Sequence, residues 1–167
     1  MKKIFIYSSS NGQSLKICEA LNKNKESSII DMDTSKTTKL DNFDQIVIGA
    51  SVKYGDHNKK VYEFVKKNRV LLEKKKTVFF SVNATARKSE KNTPKTNPYI
   101  IKFLKKTNWT PDHIGVFAGM IDFPNYNFIE KYIIKLIMWI TKGPTDTSKT
   151  FEFTNWEDVK KFSEEIN

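Results

Sequence analysis

Continuous apolar runs alternate along the chain with amphipathic stretches. Residues 3–7 (KIFIY), 45–52 (QIVIGASV) and 77–82 (TVFFSV) have the pattern of strands buried on both faces. Residues 27–33 (SSIIDMD) and 114–121 (IGVFAGMI) read as two further strands, and 150–154 (TFEFT) alternates like a short one. Between them, 13–24 places Leu15, Ile17, Cys18 and Leu21 on one helical face. Residues 59–75 do the same with Val61, Phe64, Val65, Leu71 and Leu72. A helix over 97–107 tolerates Pro98 in its first turn. Residues 126–141 form an apolar helix, and 154–166 close the chain as a helix with Val159 and Phe162 inward. Thr154 and Glu157 stand at capping-box spacing. The stretch 34–45 is polar and weakly periodic, with a degenerate helix ending at Leu40 and Phe43.

Strands alternating with helices predict an α/β fold with a parallel sheet covered on both sides. The length, 167 residues, suits one domain with one core, residues 1–167. Five main strands with a polar loop after the first match the flavodoxin-like doubly wound order 2-1-3-4-5. Ligands of such sheets bind beyond the carboxyl ends of the strands, where strands 1 and 3 diverge.

The loop after the first strand reads SSSNGQS, residues 8–14. Gly12 admits a backbone conformation that side chains resist. The helix after it offers unpaired N–H groups and a partial positive charge. Ser8, Ser10 and Ser14 add hydroxyl donors, so the loop can hold a phosphate monoester without a Lys or Arg. It carries neither GxxxxGK[ST] nor GxGxxG.

SSSNGQS resembles the (T/S)-x-(T/S)-x-G-x-(T/S) loop that holds the FMN phosphate in flavodoxins. VIGASVKYG (47–55), FVKK (64–67), SVNATARKSEKNTPKTN (81–97), IKLIM (134–138) and TDT (145–147) narrow the likeness. Together they resemble the menaquinone-dependent protoporphyrinogen dehydrogenases, flavodoxin-like enzymes of bacterial haem synthesis. The likeness runs nearly end to end. It implies FMN held by Ser8, Ser9, Ser10, Asn11, Gly12, Gln13 and Ser14. The loops 52–58 and 83–97 would flank the flavin ring, with Tyr54 covering one face and Gly55 allowing close approach. Asn83, Ala84 and Thr85 would meet the pyrimidine side of the ring through main-chain groups, with Ala86 also among the cofactor-binding residues. Arg87 would either favour the reduced flavin or grip a substrate carboxylate. Asp146 would fix the 143–147 loop or lie close to the flavin.

Charge sharpens the picture. The chain carries 29 Lys and Arg against 19 Asp and Glu, a net +10. Between residues 84 and 106 seven cations face one carboxylate, Glu90, a net +6. This basic rim, with Arg87, Lys88, Lys91 and Lys95, suits a substrate with two propionates, and also anionic lipid. No nucleic-acid motif accompanies it, so no nucleic acid is expected. His57 in the loop after the third strand is a weak candidate base beside Arg87; His113 and Cys18 read as structural. One cysteine excludes an internal disulfide framework and gives no metal cluster. The N-terminus reads as a strand rather than a signal peptide, and no apolar run is long enough to span a bilayer.

An insertion at about 120–149 holds the apolar helix. Lys131, Lys135 and Lys142 fall within about 40° of one another around it. Two placements suit such a helix: burial on two sides, including a partner subunit, or a lipid interface. The resemblance implies oxidation of protoporphyrinogen IX to protoporphyrin IX, with electrons passed through FMN to menaquinone or ubiquinone. It also implies a cytoplasmic protein resting on the inner face of the plasma membrane, and leaves room for a homo-oligomer. A flavodoxin-type electron carrier and a lipid- or nucleic-acid-binding module are the rival readings.

Overall fold

The apolar runs stand side by side. Ile6 of β1 (Lys3–Ser8) lies between Ile30 of β2 (Ser28–Asp31) and Ile48 of β3 (Gln45–Lys53). Ile48 neighbours Phe79 of β5 (Lys76–Val82), and Phe79 neighbours Ile114 of β6 (His113–Phe117). All four pairings are parallel, in the order β2-β1-β3-β5-β6. This is the flavodoxin-like 2-1-3-4-5 order of the five main strands. The structure is a computed structural model that describes residues 1–23 and 27–167. Residue 24, the last position of the first expected helix, lies outside the described residues.

Side-chain alternation splits the core into two layers. Ile4, Ile6, Ile46, Ile48 and Phe79 face α2 (Lys59–Lys67) and α4 (Pro98–Thr107). There Phe79 and Phe103 stack with centroids 4.1 Å apart, and Trp109 closes the layer edge-on. Such a ring pair contributes about 0.5–1.5 kcal/mol beyond its buried area. Phe5, Val47, Val78 and Phe80 face the other way, onto α1 (Gln13–Leu21) and α6 (Trp156–Ile166). Cys18 belongs to this layer, and burial pushes its thiol well above the ordinary range.

Four expectations are corrected. The helix over 59–75 breaks at Asn68, whose side-chain amide donates to the carbonyl of Phe64 at 2.9 Å, and resumes as the short α3 (Arg69–Leu72). Residues 34–45 form two 3-10 turns, Thr34–Thr37 and Leu40–Asn42, rather than an α-helix. Ser35, Thr37 and Thr38 hydroxyls donate to nearby carbonyls there, a local bonding pattern that competes with helix. Leu40 and Phe43 are nonetheless buried. The fifth strand ends at Phe117, whose carbonyl accepts the last cross-strand bond, from Asn83 N–H, before the chain turns away. Beyond the turn stands an antiparallel pair, β7 (Met120–Asp122) with β8 (Thr150–Glu152), which carries α5 (Phe128–Ile140). Finally, the cap of α6 is Asn155, which accepts from the N–H of Glu157 at 3.1 Å. Thr154 instead donates to the Ala118 carbonyl.

His57 closes β4 (Asp56–His57), a two-residue strand that folds back on β3 and pairs His57 with Val52. That register points the ring inward, and it is 4% exposed rather than solvated. It packs against Phe79, Phe103 and Tyr62, with Nε2 2.9 Å from the Ser81 hydroxyl. Burial lowers its pKa from 6.5 to about 4, with the Asp56 carboxylate opposing the shift and Lys102 and Lys106 adding to it. As pH falls, the unfolded chain therefore takes up this proton first. The fold should lose stability from about pH 6.5 to about 4 and level off below, on the order of 3 kcal/mol in all. Denaturant unfolding of His57→Asn should show a flatter profile across that window than the parent chain. Equal slopes would exclude His57 as a source of the pH dependence.

Candidate active site at the carboxyl edge of the sheet

Strands β1, β3, β5 and β6 end together, and their following loops enclose a cavity of about 520 Å³ roofed by α5. Its apolar wall comes from Ile121, Ile134, Ile137 and Met138. This wall belongs to a third, small core that Ile121, Phe123 and Met138 build between the β7–β8 pair and α5.

The loop after β1 has the expected backbone. Gly12 lies at φ +80°, and nothing stands within 4 Å of a Cβ placed there, so conformation rather than crowding demands glycine. Asn11 anchors the loop by donating to the Met120 carbonyl at 2.8 Å. Ser10 N–H donates to the Ser51 hydroxyl at 3.1 Å. The N–H groups of Gln13 and Ser14 make only long bonds, 3.3 Å each, to the side chains of Asn11 and Ser9. Among the described residues the Ser14 hydroxyl is buried without any partner, as is Oε1 of Gln13. Buried polar atoms are ordinarily satisfied. An orphaned hydroxyl beside loosely held amides at a helix N-terminus therefore fits a phosphate oxygen. Ser10 and Asn11 line the cavity; Ser8, Ser9, Gly12, Gln13 and Ser14 do not. The Gln13 amide nitrogen ties α1 to Glu152 and Thr154.

Between β3 and β4 the turn has two residues, Tyr54 and Gly55. Both have positive φ, 53° and 82°, as a type I′ hairpin requires. Tyrosine is an expensive choice there, since its Cβ crowds the backbone in this region. The conformation leaves the ring 57% exposed over the cavity. Its hydroxyl donates to Glu130 Oε1 on α5 at 3.1 Å, and the Lys53 ammonium pairs with the same oxygen.

Asn83 and Asn97 knit the loop after β5. Asn83 is 2% exposed; its carbonyl and Oδ1 both accept from Ala86 N–H, and its amide donates to Ser81. Asn97 donates to Asn83 and to the Lys91 carbonyl while capping α4. Asn83 N–H is bound to Phe117, so Asn83 positions the turn rather than offering a free amide. Ala84 and Thr85, which open the turn, line the cavity; Ala86 is buried beside a smaller one. Arg87 lies between the two cavities. Its guanidinium donates to the Ala84 carbonyl and to the carbonyl and hydroxyl of Thr141, at 2.7, 3.1 and 2.9 Å. It thus pins the carboxyl end of α5, where a cation meets the negative end of the helix dipole. Desolvation lowers its pKa.

Lys88, Lys91 and Lys95 do not line the cavity and make no ion pair among the described residues. Lys102 and Lys106 converge on Asp56, so the basic rim is partly neutralised by a residue outside it. Asp146 is exposed and bonded to Ser148 and Lys149, away from the cavity. Ser51 and Glu130 line the cavity from outside the loops expected to flank the flavin; Lys53 and Asn97 lie within those loops, Lys53 on the cavity and Asn97 behind it. Asn97 had a signal, an Asn directly before a Pro that opens a helix. Glu130 had another, its place three residues after the helix-capping Asn127.

A family model described as a flavodoxin domain matches residues 4–148. The protoporphyrinogen IX dehydrogenase (quinone) of Escherichia coli strain K12 is 39% identical, over 99% of this chain and 94% of that protein. The protein of the same name from Leishmania major is 33% identical, over 99% of this chain and 74% of that one. Oxidised flavodoxin 1 from Bacillus cereus shares the fold, with a TM-score of 0.51 at 15% identity over 99% and 97% of the two chains. The chain belongs to the flavodoxin domain family and, within it, to the quinone-dependent protoporphyrinogen IX dehydrogenases.

Proposed function

We propose that the protein uses FMN to oxidise protoporphyrinogen IX to protoporphyrin IX and passes the electrons to a quinone. The observation that carries this reading is the orphaned Ser14 hydroxyl at the amino end of α1, in the loop whose Ser10 and Asn11 line a large cavity with an apolar wall. Ser9, Ser10, Asn11, Gly12 and Ser14 would hold the phosphate. Tyr54, Gly55 and the Ala84–Thr85 turn would border the ring. When bound, FMN supplies the two-electron acceptor that no side chain provides. Arg87 keeps a cation at the cavity wall, fixed by three hydrogen bonds, where it favours negative charge nearby. Ile121, Ile134, Ile137 and Met138 offer the apolar surface that a tetrapyrrole macrocycle requires. Lys88, Lys91 and Lys95 would raise the local concentration of an anionic substrate rather than touch it in the cavity.

The roof helix supports a membrane-facing role. Phe128, Ile129, Leu136, Trp139 and Ile140 are 55–77% exposed, and Lys135 and Lys142 are exposed beside them. Among the described residues no helix is long and apolar enough to cross a membrane. Such a helix suits the interface of an anionic bilayer, where a lipophilic quinone would reach the cavity directly. A second subunit covering this face is the alternative.

Anaerobic mixing of FMN-loaded protein with protoporphyrinogen IX and a menaquinone analogue should produce porphyrin fluorescence, dependent on both FMN and quinone. No porphyrin formation would refute the reading. In Gly12→Val, FMN affinity measured by flavin fluorescence should fall at least ~100-fold with the far-ultraviolet spectrum unchanged. Full affinity would remove the phosphate loop from the site. Replacing Trp139 and Ile140 together by Asp should abolish co-sedimentation with phosphatidylglycerol vesicles. A concentration-dependent dimer that those changes dissolve, with no vesicle binding by the parent chain, would favour the second subunit.

A further inference from the structure

Only two cations line the large cavity among the described residues, Lys53 and Arg87. Arg87 is held by carbonyl and hydroxyl oxygens of the protein's own loops, contacts that belong to the scaffold. Lys53 differs. Its ammonium pairs with a carboxylate, Glu130, and the adjacent Tyr54 hydroxyl donates to the same oxygen. An ammonium and a phenol converging on one carboxylate oxygen at the mouth of a cavity constitute a carboxylate site that is already filled. The filler comes from the roof.

We propose that Lys53 and Tyr54 bind a carboxylate of the substrate, and that Glu130 occupies this site as a stand-in until the substrate displaces it. The proposal rests on the assignment of a porphyrinogen dicarboxylate as substrate. Three observations favour exchange over a permanent bridge. The pair is partly solvated, with side chains 42% and 20% exposed, and such ion pairs add little net stability. The exchange replaces one carboxylate by another, so Lys53 is never left unpaired beside an apolar wall. Glu130 also has somewhere to go. It is the third residue of α5 after the capping Asn127, whose Oδ1 accepts from Glu130 N–H. The reciprocal half of that capping box already acts on it: the Asn127 N–H helps hold the Glu130 carboxylate in its charged form, and this contact can keep the carboxylate once Lys53 and Tyr54 let go. The turn that aims Tyr54 at Glu130 carries a positive-φ tyrosine, the kind of local strain that accumulates at binding sites. Displacing Glu130 would free the amino end of α5 while Arg87 still holds its carboxyl end, so the substrate's own carboxylate would open the roof over itself.

The test is equilibrium binding of protoporphyrin IX and of its dimethyl ester to the FMN-loaded full chain, read by porphyrin fluorescence. Glu130→Gln removes the competitor and should tighten diacid binding about tenfold; Lys53→Met should weaken it about tenfold. The double variant should behave like Lys53→Met. All three should bind the ester as the parent does. In turnover, Lys53→Met should raise the KM for the porphyrinogen and leave that for the quinone unchanged. Diacid affinity unchanged in Glu130→Gln, or diacid and ester affinities shifted equally, would overturn the proposal. A parent protein that turns over no porphyrinogen and binds neither porphyrin would instead overturn the functional assignment on which it rests.

Discussion

Parallel strands covered by helices on both faces leave no solvent-facing sheet surface for chemistry. In this protein Ile4, Ile6, Ile46 and Ile48 are sealed on one side and Phe5, Val47, Val78 and Phe80 on the other. The groups that can meet a ligand therefore gather at the strand ends and in the loops beyond them, under the roof of α5. Because β1, β3, β5 and β6 run the same way, four such loops open at one edge, and register brings Ser8, Ala50 and Ser51, and Val82 and Phe117, alongside one another. The loop after β1, the Tyr54–Gly55 turn and the Asn83–Arg87 turn owe their proximity to that constraint rather than to contacts among themselves.

The same physics explains which parts of the fold the chain discloses. A strand buried on both faces must be apolar along its length, so β1, β3 and β5 announce themselves in sequence. The fifth strand does not disclose its end. Residues 114–121 stay apolar through the break, because Ile121 leaves the sheet only to enter the small core under α5. Hydropathy reports burial, not which core does the burying. The helix over 59–75 is interrupted at Asn68, whose side-chain amide shares the Phe64 carbonyl with its own backbone N–H, a local event that a periodic pattern does not register.

For the site, backbone demands were more legible than side-chain partnerships. Gly12 and Gly55 are required by φ, and a Ser-rich turn before a helix advertises its donors. Arg87 stood out as a cation in the right loop, but its partner Thr141 lies 54 residues away, and no local pattern links them. Lys53 and Glu130 are separated by 77 residues, and each alone reads as an ordinary solvated charge. His57 misled for a different reason: a polar residue after a glycine turn suggests a loop, yet the hairpin reversal turns it back beneath the sheet.

The pairing of β7 with β8 has a consequence for how such chains diversify. Asp122 lies opposite Thr150 and their side chains are bonded at 2.8 Å, so residues 123–149 depart and return through a single doorway. Closing a surface excursion of this kind costs entropy that grows only with the logarithm of its length, about 0.6 kcal/mol for each doubling. Lengthening, shortening or rewriting the roof thus scarcely taxes the sheet beneath. Descendants of one ancestral scaffold can try new lids, and with them new substrates, while the loops at the carboxyl edge of the sheet stay as they were.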